Sequence, residues 1–264
     1  MRNPPETKPA GRVTLVGAGP GDPELLTLKA VRALQEADVV LFDALVSEEV
    51  LGFVRTEARK LLVGKRGGRV SCRQDDINAM MLNLAAQGRR VVRLKAGDPM
   101  IFGRAGEEIA VLREAGIAVE VVPGITAAMA AASKFGVSLT HRDCAQAVKF
   151  ITAHSRKGEL PDLDWRACAD PATTLIVYMG ARTAAGLSQR LTTEGLDPAT
   201  PVVIAKGVCQ GGEEVTCCRL GELVSLQIDR EKPVLIGIGA VFAEMLEQFE
   251  AGEGGGAAAV AIPA

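Results

Sequence analysis

Short apolar runs alternate along the chain with longer segments whose apolar residues recur at helical spacing. Residues 13–17, 39–42, 61–64, 91–95 and 118–122 read as short, largely apolar runs, the pattern of strands buried on both faces. Between them, Thr27 is placed to cap a helix over 28–37 whose apolar positions Leu28, Val31, Leu34 and Ala37 share one face. Ser47 caps a second helix, with Glu48 and Glu49 in the first turn where the helix dipole favours them. Further helices are predicted over 74–87, ending at Gly88, and over 104–114. Strands alternating with amphipathic helices predict a parallel sheet covered on both faces, so residues 12–122 are expected to form one α/β domain. Pro123-Gly124 reads as a linker, followed by an alanine-rich helix over 126–135.

The second half repeats this style less regularly. Strands are predicted at 148–153, 173–179, 201–206, 213–219 and 233–239, and helices at 183–194, 221–226 and 241–250. The connection through Gln210-Gly211-Gly212 is too short for a crossover helix. It predicts a hairpin, hence antiparallel pairing and a mixed sheet. The expected architecture is two α/β domains, 12–122 with a mostly parallel sheet and 123–250 with a mixed one. The polar 1–11 and the Gly- and Ala-rich 251–264 are expected as disordered tails.

Composition narrows the function. With 264 residues the chain suits one large or two modest domains, and 48% hydrophobic against 3% aromatic residues makes the core aliphatic. A net charge of −2 argues against non-specific nucleic-acid binding, so an anionic ligand needs a local basic cluster. Cys72, Cys144, Cys168, Cys209, Cys217 and Cys218 form no CxxC pair and read as reduced thiols. His141 and His154 are too few and too scattered for a zinc site, and no metal is expected. No run approaches the roughly 18–20 apolar residues of a membrane span, and the first eleven residues lack a signal-peptide core. A soluble, cytoplasmic protein is expected.

Candidate chemistry gathers where strands end. Ala96-Gly97-Asp98-Pro99 bends the chain at the carboxyl end of a strand, where open α/β sheets place ligands, and Gly103 and Gly106 flank Arg104. Gly17-Ala18-Gly19-Pro20-Gly21-Asp22 tempts towards a dinucleotide fingerprint, but Asp22 stands where the last glycine belongs and Pro23 delays the helix. A nicotinamide-dependent oxidoreductase is disfavoured on that ground. Lys65, Arg66 and Arg69, with the glycines between them, form either a solvated basic loop or an anion site. Lys65 can donate a proton if burial among cations lowers its pKa. Asp43 either caps the next turn or accepts a proton. Leu139 to Asp143 adds a polar cluster, and His154 is assigned no chemistry. Met179 is either core or packs against a planar ligand ring.

Eight motifs then occur in one order: Val-Gly-Ala-Gly-Pro-Gly-Asp-Pro (16–23), Ala-Asp-Val-Val-Leu-Phe-Asp-Ala-Leu-Val (37–46), Gly-Lys-Arg-Gly-Gly (64–68), Arg-Leu-Lys-Ala-Gly-Asp-Pro (93–99), Gly-Arg-Ala-Gly-Glu-Glu (103–108), Val-Pro-Gly-Ile-Thr-Ala (122–127), Leu-Thr-His-Arg (139–142) and Tyr-Met-Gly (178–180). In this order the chain resembles the uroporphyrinogen-III C-methyltransferases, tetrapyrrole-specific class III S-adenosylmethionine methyltransferases. The resemblance runs from about residue 12 to 245. It implies the tetrapyrrole methylase fold, a cleft between the two domains, and a homodimer. It also implies transfer of two methyl groups from S-adenosylmethionine to C2 and C7 of uroporphyrinogen III, giving precorrin-2 and S-adenosylhomocysteine for sirohaem and cobalamin.

By motif, Asp43 is implied as proton acceptor and Lys65 as proton donor. The implied S-adenosylmethionine site comprises Pro20, Ala96, Gly97, Asp98, Ile101, Thr126, Ala127, Met179 and Gly207. Lys65, Arg66, Arg69, Arg104 and Arg142 are candidates to meet the substrate's eight carboxylates. Ala96 and Ala105 stand where the family usually has glycine, Ser138 where it has proline, Ala153 where it has glycine, and residues 205–208 depart from its usual segment. Alternatives are a methyltransferase of a later precorrin, such as precorrin-4, or a non-catalytic tetrapyrrole- or nucleotide-binding module. No appended dehydrogenase or chelatase region follows, so methylation alone is expected.

Overall fold

All five apolar runs of the first half become strands: β1 (Arg12–Gly17), β2 (Val39–Phe42), β3 (Arg59–Leu62), β4 (Arg90–Lys95) and β5 (Ala118–Val122). They pair in parallel in the order β3-β2-β4-β1-β5. This computed structural model describes residues 11–64, 72–155 and 158–252. Most of the tails expected at 1–11 and 251–264 lies outside the described residues, while Gly11 is buried and Ala251-Gly252 continue the last helix. The chain divides into two compact units that meet at Thr126/Ala127.

In the first unit, α1 (Leu28–Glu36) and α2 (Glu48–Leu51) cover one face of the sheet, packing Ala30, Leu34, Val50 and Leu51 against Val16, Val40, Val92 and Leu94. On the other face, α3 (Gln74–Ala86) and α4 (Ala105–Glu114) bring Ile77, Met81, Ala105, Ile109 and Leu112 onto Val13, Leu15, Val39, Leu41 and Val91. Each fully buried leucine of these layers contributes about 2 kcal/mol by leaving water. Both expected caps form: Thr27 Oγ1 accepts from the Ala30 amide at 3.1 Å and Ser47 Oγ from the Val50 amide at 3.3 Å.

Three expectations change. Leu28 is 76% exposed, and the buried face of α1 is Ala30 and Leu34, continued by Ala37 just past its end. The third strand begins at Arg59, two residues early. As the outermost strand it carries exposed Arg59 and Lys60, charges that discourage edge pairing with another chain. Pro123-Gly124 is not a free linker. Gly124 packs so closely on Gly17 that a Cβ there would lie 2.8 Å from the Gly17 Cα.

In the second unit, β6 (Ala147–Thr152), β7 (Thr173–Tyr178), β8 (Pro201–Lys206), β9 (Glu214–Arg219) and β10 (Val234–Ile238) form a sheet in the order β6-β7-β10-β8-β9. Only β6 and β7 are parallel, and β8–β9 is the expected hairpin. One face carries α6 (Trp165–Cys168) and α7 (Ala184–Thr193) over Leu175, Val177, Val202, Ile204 and Ile236. The other meets α5 (Ala127–Phe135) and Phe242, which precedes α8 (Ala243–Gly252). The helix expected over 221–226 is a 3-10 turn, Leu220–Val224, and α6 was not foreseen. At four residues, α6 is too short to show a period in sequence. Its own capping residue Asp164 accepts from the Ala167 amide.

At the amino edge of the first sheet, Asp38 ties three strands. Its carboxylate accepts from the Arg90 amide (2.9 Å) and guanidinium (2.8 Å) and from Arg55 (2.6 Å). Its backbone bonds Arg90 and Arg59. The Arg90 hydrogen bond, outweighing burial, holds its pKa down at about 2. A carboxylate depressed in the fold stabilises it fully above its unfolded value and loses that contribution as pH falls towards the folded one. Asp38→Asn is therefore expected to cost about 2 kcal/mol at neutral pH in urea unfolding. The difference from wild type should vanish between about pH 4 and pH 2.

Candidate active site

Parallel strands deliver their following loops to one edge, and here those loops are stitched together. The Gly19 amide donates to Gly97 O at 3.2 Å and the Gly97 amide returns to Gly19 O at 2.7 Å, joining the loops after β1 and β4. Ser47 Oγ donates to Gly21 O at 2.7 Å, adding the loop after β2. Asp98 accepts from the Met100 amide at 2.7 Å with one oxygen and from the Gly124 amide at 2.9 Å with the other, adding the loop after β5. The crevice between β1 and β4 is the switch point of the sheet, because the chain leaves β1 through α1 on one face and β4 through α4 on the other.

The residues of these loops are fixed by close approach. A Cβ on Gly124 would lie 2.3 Å from Gly97 O, and one on Gly17 would lie 2.5 Å from the Gly124 nitrogen. Gly97 has φ +67°, which disfavours any side chain, whereas neighbouring Ala96 has ordinary backbone and is only partly buried. The departure from glycine at 96 is thus accommodated without strain. Ala105 opens α4, 3% exposed. Further along the loop, Phe102 (φ +50°) and Arg104 (φ +58°) are non-glycine residues in the left-handed region, a cost that clusters where loops are shaped for function.

Beneath this edge lies a buried charge network that sequence reading missed. Residues 91–95 were expected as an apolar strand, yet Arg93 and Lys95 point to the α3/α4 side of β4 and are 2% and 4% exposed. Between them Glu108 of α4 is wholly buried. Glu108 accepts from Arg93 Nε (3.1 Å), from Lys95 Nζ (3.1 and 3.2 Å) and from Gln74 Nε2 (3.0 Å). Arg93 Nη1 donates to Leu94 O at 3.2 Å, and its Nη2 donates to Asp43 Oδ1 at 2.5 Å. Burial and the nearby Arg93 push the Lys95 pKa down, against the pull of Glu108 and Asp43. The signal was present: two cations two apart in the fourth apolar run, in a pattern expected to be buried on both faces.

Asp43 ends β2 beside this network with its side chain 28% exposed. Its carboxylate does not cap the following turn. The Val46 amide bonds the Asp43 carbonyl instead, and the side chain goes to Arg93. Lys65, Arg66 and Arg69 lie outside the described residues. Arg104 stands exposed ahead of α4 in a two-pronged pair with Glu107, at 2.9 and 2.6 Å. Among the implied cofactor residues, Pro20, Ala96, Gly97, Asp98, Ile101 and Thr126 belong to the first unit. All but Thr126 lie in the β1 and β4 loops. Thr126 approaches Gly97, its Cα 3.8 Å from where a Gly97 Cβ would sit.

Ala127, Met179, Gly207 and Arg142 belong to the second unit. Tyr178 Oη accepts from the Ala128 amide at 3.2 Å, tying the first turn of α5 to the end of β7. The next residue, Met179, has φ +58° and is 49% exposed, so it is not core. Gly207 (φ +65°) is buried against Lys232, where a Cβ would meet Lys232 Cδ at 2.9 Å. Its loop is held by Glu213, which accepts from the Cys209 amide at 3.0 Å and pairs with Lys134 of α5 at 2.7 Å. Arg142 is exposed in a tight turn closed by His141 and Ala145. Ser138 Oγ donates to Thr140 O at 2.8 Å, shaping the approach to that turn without the usual proline. Ala153 is fully buried.

The loop packing yields a contrast. Gly124→Ala should lose about 1–3 kcal/mol in urea unfolding, because backbone must move to admit the methyl. Gly106→Ala, in α4 with nothing within 4 Å of its Cβ position, should gain about 0.5–1 kcal/mol.

Residues 12–224 match the sequence profile of the Tetrapyrrole (Corrin/Porphyrin) Methylases. Siroheme synthase 3 of Aeromonas hydrophila is 47% identical over 254 residues, 96% of this chain and 54% of that protein. The chain spans about half the length of the curated relatives it matches. Uroporphyrin-III C-methyl transferase from Thermus thermophilus, solved in complex with S-adenyl homocysteine, aligns with a TM-score of 0.77 at 40% identity, over 89% of this chain and 100% of that one. A cobalt precorrin-4 methyltransferase aligns with a TM-score of 0.74 at 26% identity, over 87% of this chain and 95% of that one. With its parallel first sheet, mixed second sheet and this match along most of its length, the chain belongs to the tetrapyrrole methylase family.

Proposed function

We propose that this protein transfers two methyl groups from S-adenosylmethionine to C2 and C7 of uroporphyrinogen III, releasing precorrin-2 and S-adenosylhomocysteine. The observation that carries this reading is the likeness to the Thermus thermophilus methyltransferase over that chain's whole length, at 40% identity. The lower identity of the precorrin-4 enzyme, 26%, makes a later precorrin the weaker choice. Retention of Asp43 beside a charged network argues against a mere binding module.

The donor fits the carboxyl edge of the first sheet on physical grounds. The crevice there is the switch point of the sheet, where open α/β sheets place ligands, and it is bordered by the small residues Ala18, Gly19, Ala96 and Gly97. Pro20, Ala96, Gly97, Asp98, Ile101 and Thr126 would hold it there, and the resemblance adds Ala127, Met179 and Gly207 to the donor's contacts. Bound S-adenosylmethionine supplies an electrophilic methyl group and leaves as a neutral thioether. The nucleophile is a pyrrole carbon, so the protein needs no nucleophilic serine or cysteine, and its task is to align, exclude water and move protons. Asp43 accepts the proton that the methylated ring must shed, and Lys65 returns one. Arg66, Arg69, Arg104 and Arg142 meet the substrate carboxylates. Arg104 does so by exchanging its exposed pairing with Glu107, an exchange of low cost because exposed pairs are worth at most about 1 kcal/mol. In this reading the enzyme works in the cytoplasm as a homodimer. Its six cysteines form no CxxC pair, which suits a reducing compartment, and no described helix is long and apolar enough to cross a membrane.

Anaerobic incubation with uroporphyrinogen III and methyl-labelled S-adenosylmethionine is expected to add two labelled methyl groups, at C2 and C7, by mass analysis of the tetrapyrrole. Binding of the donor without transfer would move the substrate to a later precorrin. Asp43→Asn should lower kcat by about 100-fold or more while leaving S-adenosylhomocysteine affinity unchanged, and normal turnover in that variant would remove Asp43 from the role.

A further inference from the structure

Three ionisable side chains beneath Asp43 have no part in the chemistry just described: Arg93, Lys95 and Glu108. Their burial is expensive, since an ion leaving water loses several kcal/mol that only pairing and complete hydrogen bonding offset. Packing alone would be served by an aliphatic residue, as at Val91 on the same face of β4. Instead every nitrogen of the Arg93 guanidinium is engaged. Nε goes to Glu108, Nη1 to the carbonyls of Leu94 and, at 3.5 Å, Leu41, and Nη2 to Asp43. Lys95 and Gln74 hold Glu108 from its other sides. Arg93 and Lys95 balance Asp43 and Glu108, so the group is neutral as a whole. Of its four charged members only Asp43 reaches solvent appreciably.

We propose that Arg93, locked in place by Glu108 and Lys95, is the positioning residue of the methyl-transfer site. It fixes the Asp43 carboxylate in one orientation at the carboxyl edge of the sheet and supplies its counter-charge. The inference rests on the reading of Asp43 as proton acceptor. Register supports it: Leu41 of β2 lies opposite Arg93 of β4, so a side chain reaching along β4 meets the residue two beyond Leu41 on the same face, Asp43. A plain interior brace would alter stability and leave the balance between kcat and KM alone. A positioning residue alters kcat through Asp43.

The test uses the full chain with uroporphyrinogen III and S-adenosylmethionine. Arg93→Lys keeps the charge and removes the fork, and Glu108→Gln keeps the shape and removes the anion that anchors Arg93. Each is made alone and together with Asp43→Asn, with S-adenosylhomocysteine affinity measured by calorimetry. Arg93→Lys and Glu108→Gln are each expected to lower kcat by about 10–100-fold, with KM and S-adenosylhomocysteine affinity within about twofold of wild type. In the Asp43→Asn background either change should cost less than about twofold more, because the group being positioned is already disabled. Should Arg93→Lys fail to fold, Glu108→Gln carries the same comparison. Wild-type kcat in the folded variants, or an equal fold-loss in both backgrounds, overturns the inference while leaving Asp43 as acceptor. Normal turnover by Asp43→Asn overturns the reading of Asp43 and the inference with it.

Discussion

A carboxylate with no exposure to water sets the terms for the first unit. Glu108 sits between β4 and the sheet-facing side of α4, and leaving its charge unpaired there would cost about 3–5 kcal/mol. It is tolerable because Arg93, Lys95 and Gln74 converge on it. That convergence requires α3, α4 and β4 to hold one relative placement, since donors from α3 and β4 meet an acceptor on α4. The aliphatic layers on both faces supply most of the burial energy but are tolerant of small shifts. The charge network is not, and so it fixes the placement of the sheet edge it supports.

The two edges of that sheet are held by different physics. At the amino edge, Asp38 ties Arg55, Arg59 and Arg90 through partly exposed ionic and backbone bonds, a stabilising clamp with no ligand-facing loop. At the carboxyl edge, backbone pairs between Gly19 and Gly97, the Ser47 hydroxyl and the twin bonds of Asp98 hold four loops together. Small residues are needed there because the loops approach within van der Waals contact of one another. Close approach of the loops is thus why the motifs of this edge are rich in glycine.

The fold alone does not choose a substrate, because methyltransferases acting on different tetrapyrroles share this architecture. What distinguishes this chain must lie in the side chains at the loops. Arg104, exposed and paired with exposed Glu107, is available to a partner from solvent. Arg93 is not, because all three of its nitrogens are committed in the interior. Two arginines eleven residues apart in one motif region are thus suited to different tasks by burial alone.

Strand positions, the caps at Thr27 and Ser47, the β8–β9 hairpin and the division into a parallel and a mixed sheet were legible in the sequence, because each depends on local periodicity or on a connection's length. Ordered motifs also pointed to the family, since they preserve loops whose shape tolerates few residues. The buried face of α1 was misread at Leu28 because helical spacing fixes which residues share a stripe but not which stripe meets the sheet. Pro123-Gly124 looked like a linker because close backbone packing leaves no hydrophobic signal. Most of all, the partnership of Arg93, Lys95 and Glu108 with Asp43 was invisible in sequence. The four residues come from three elements up to 65 positions apart, so two cations in an apolar run hint at burial while only the fold supplies their partners.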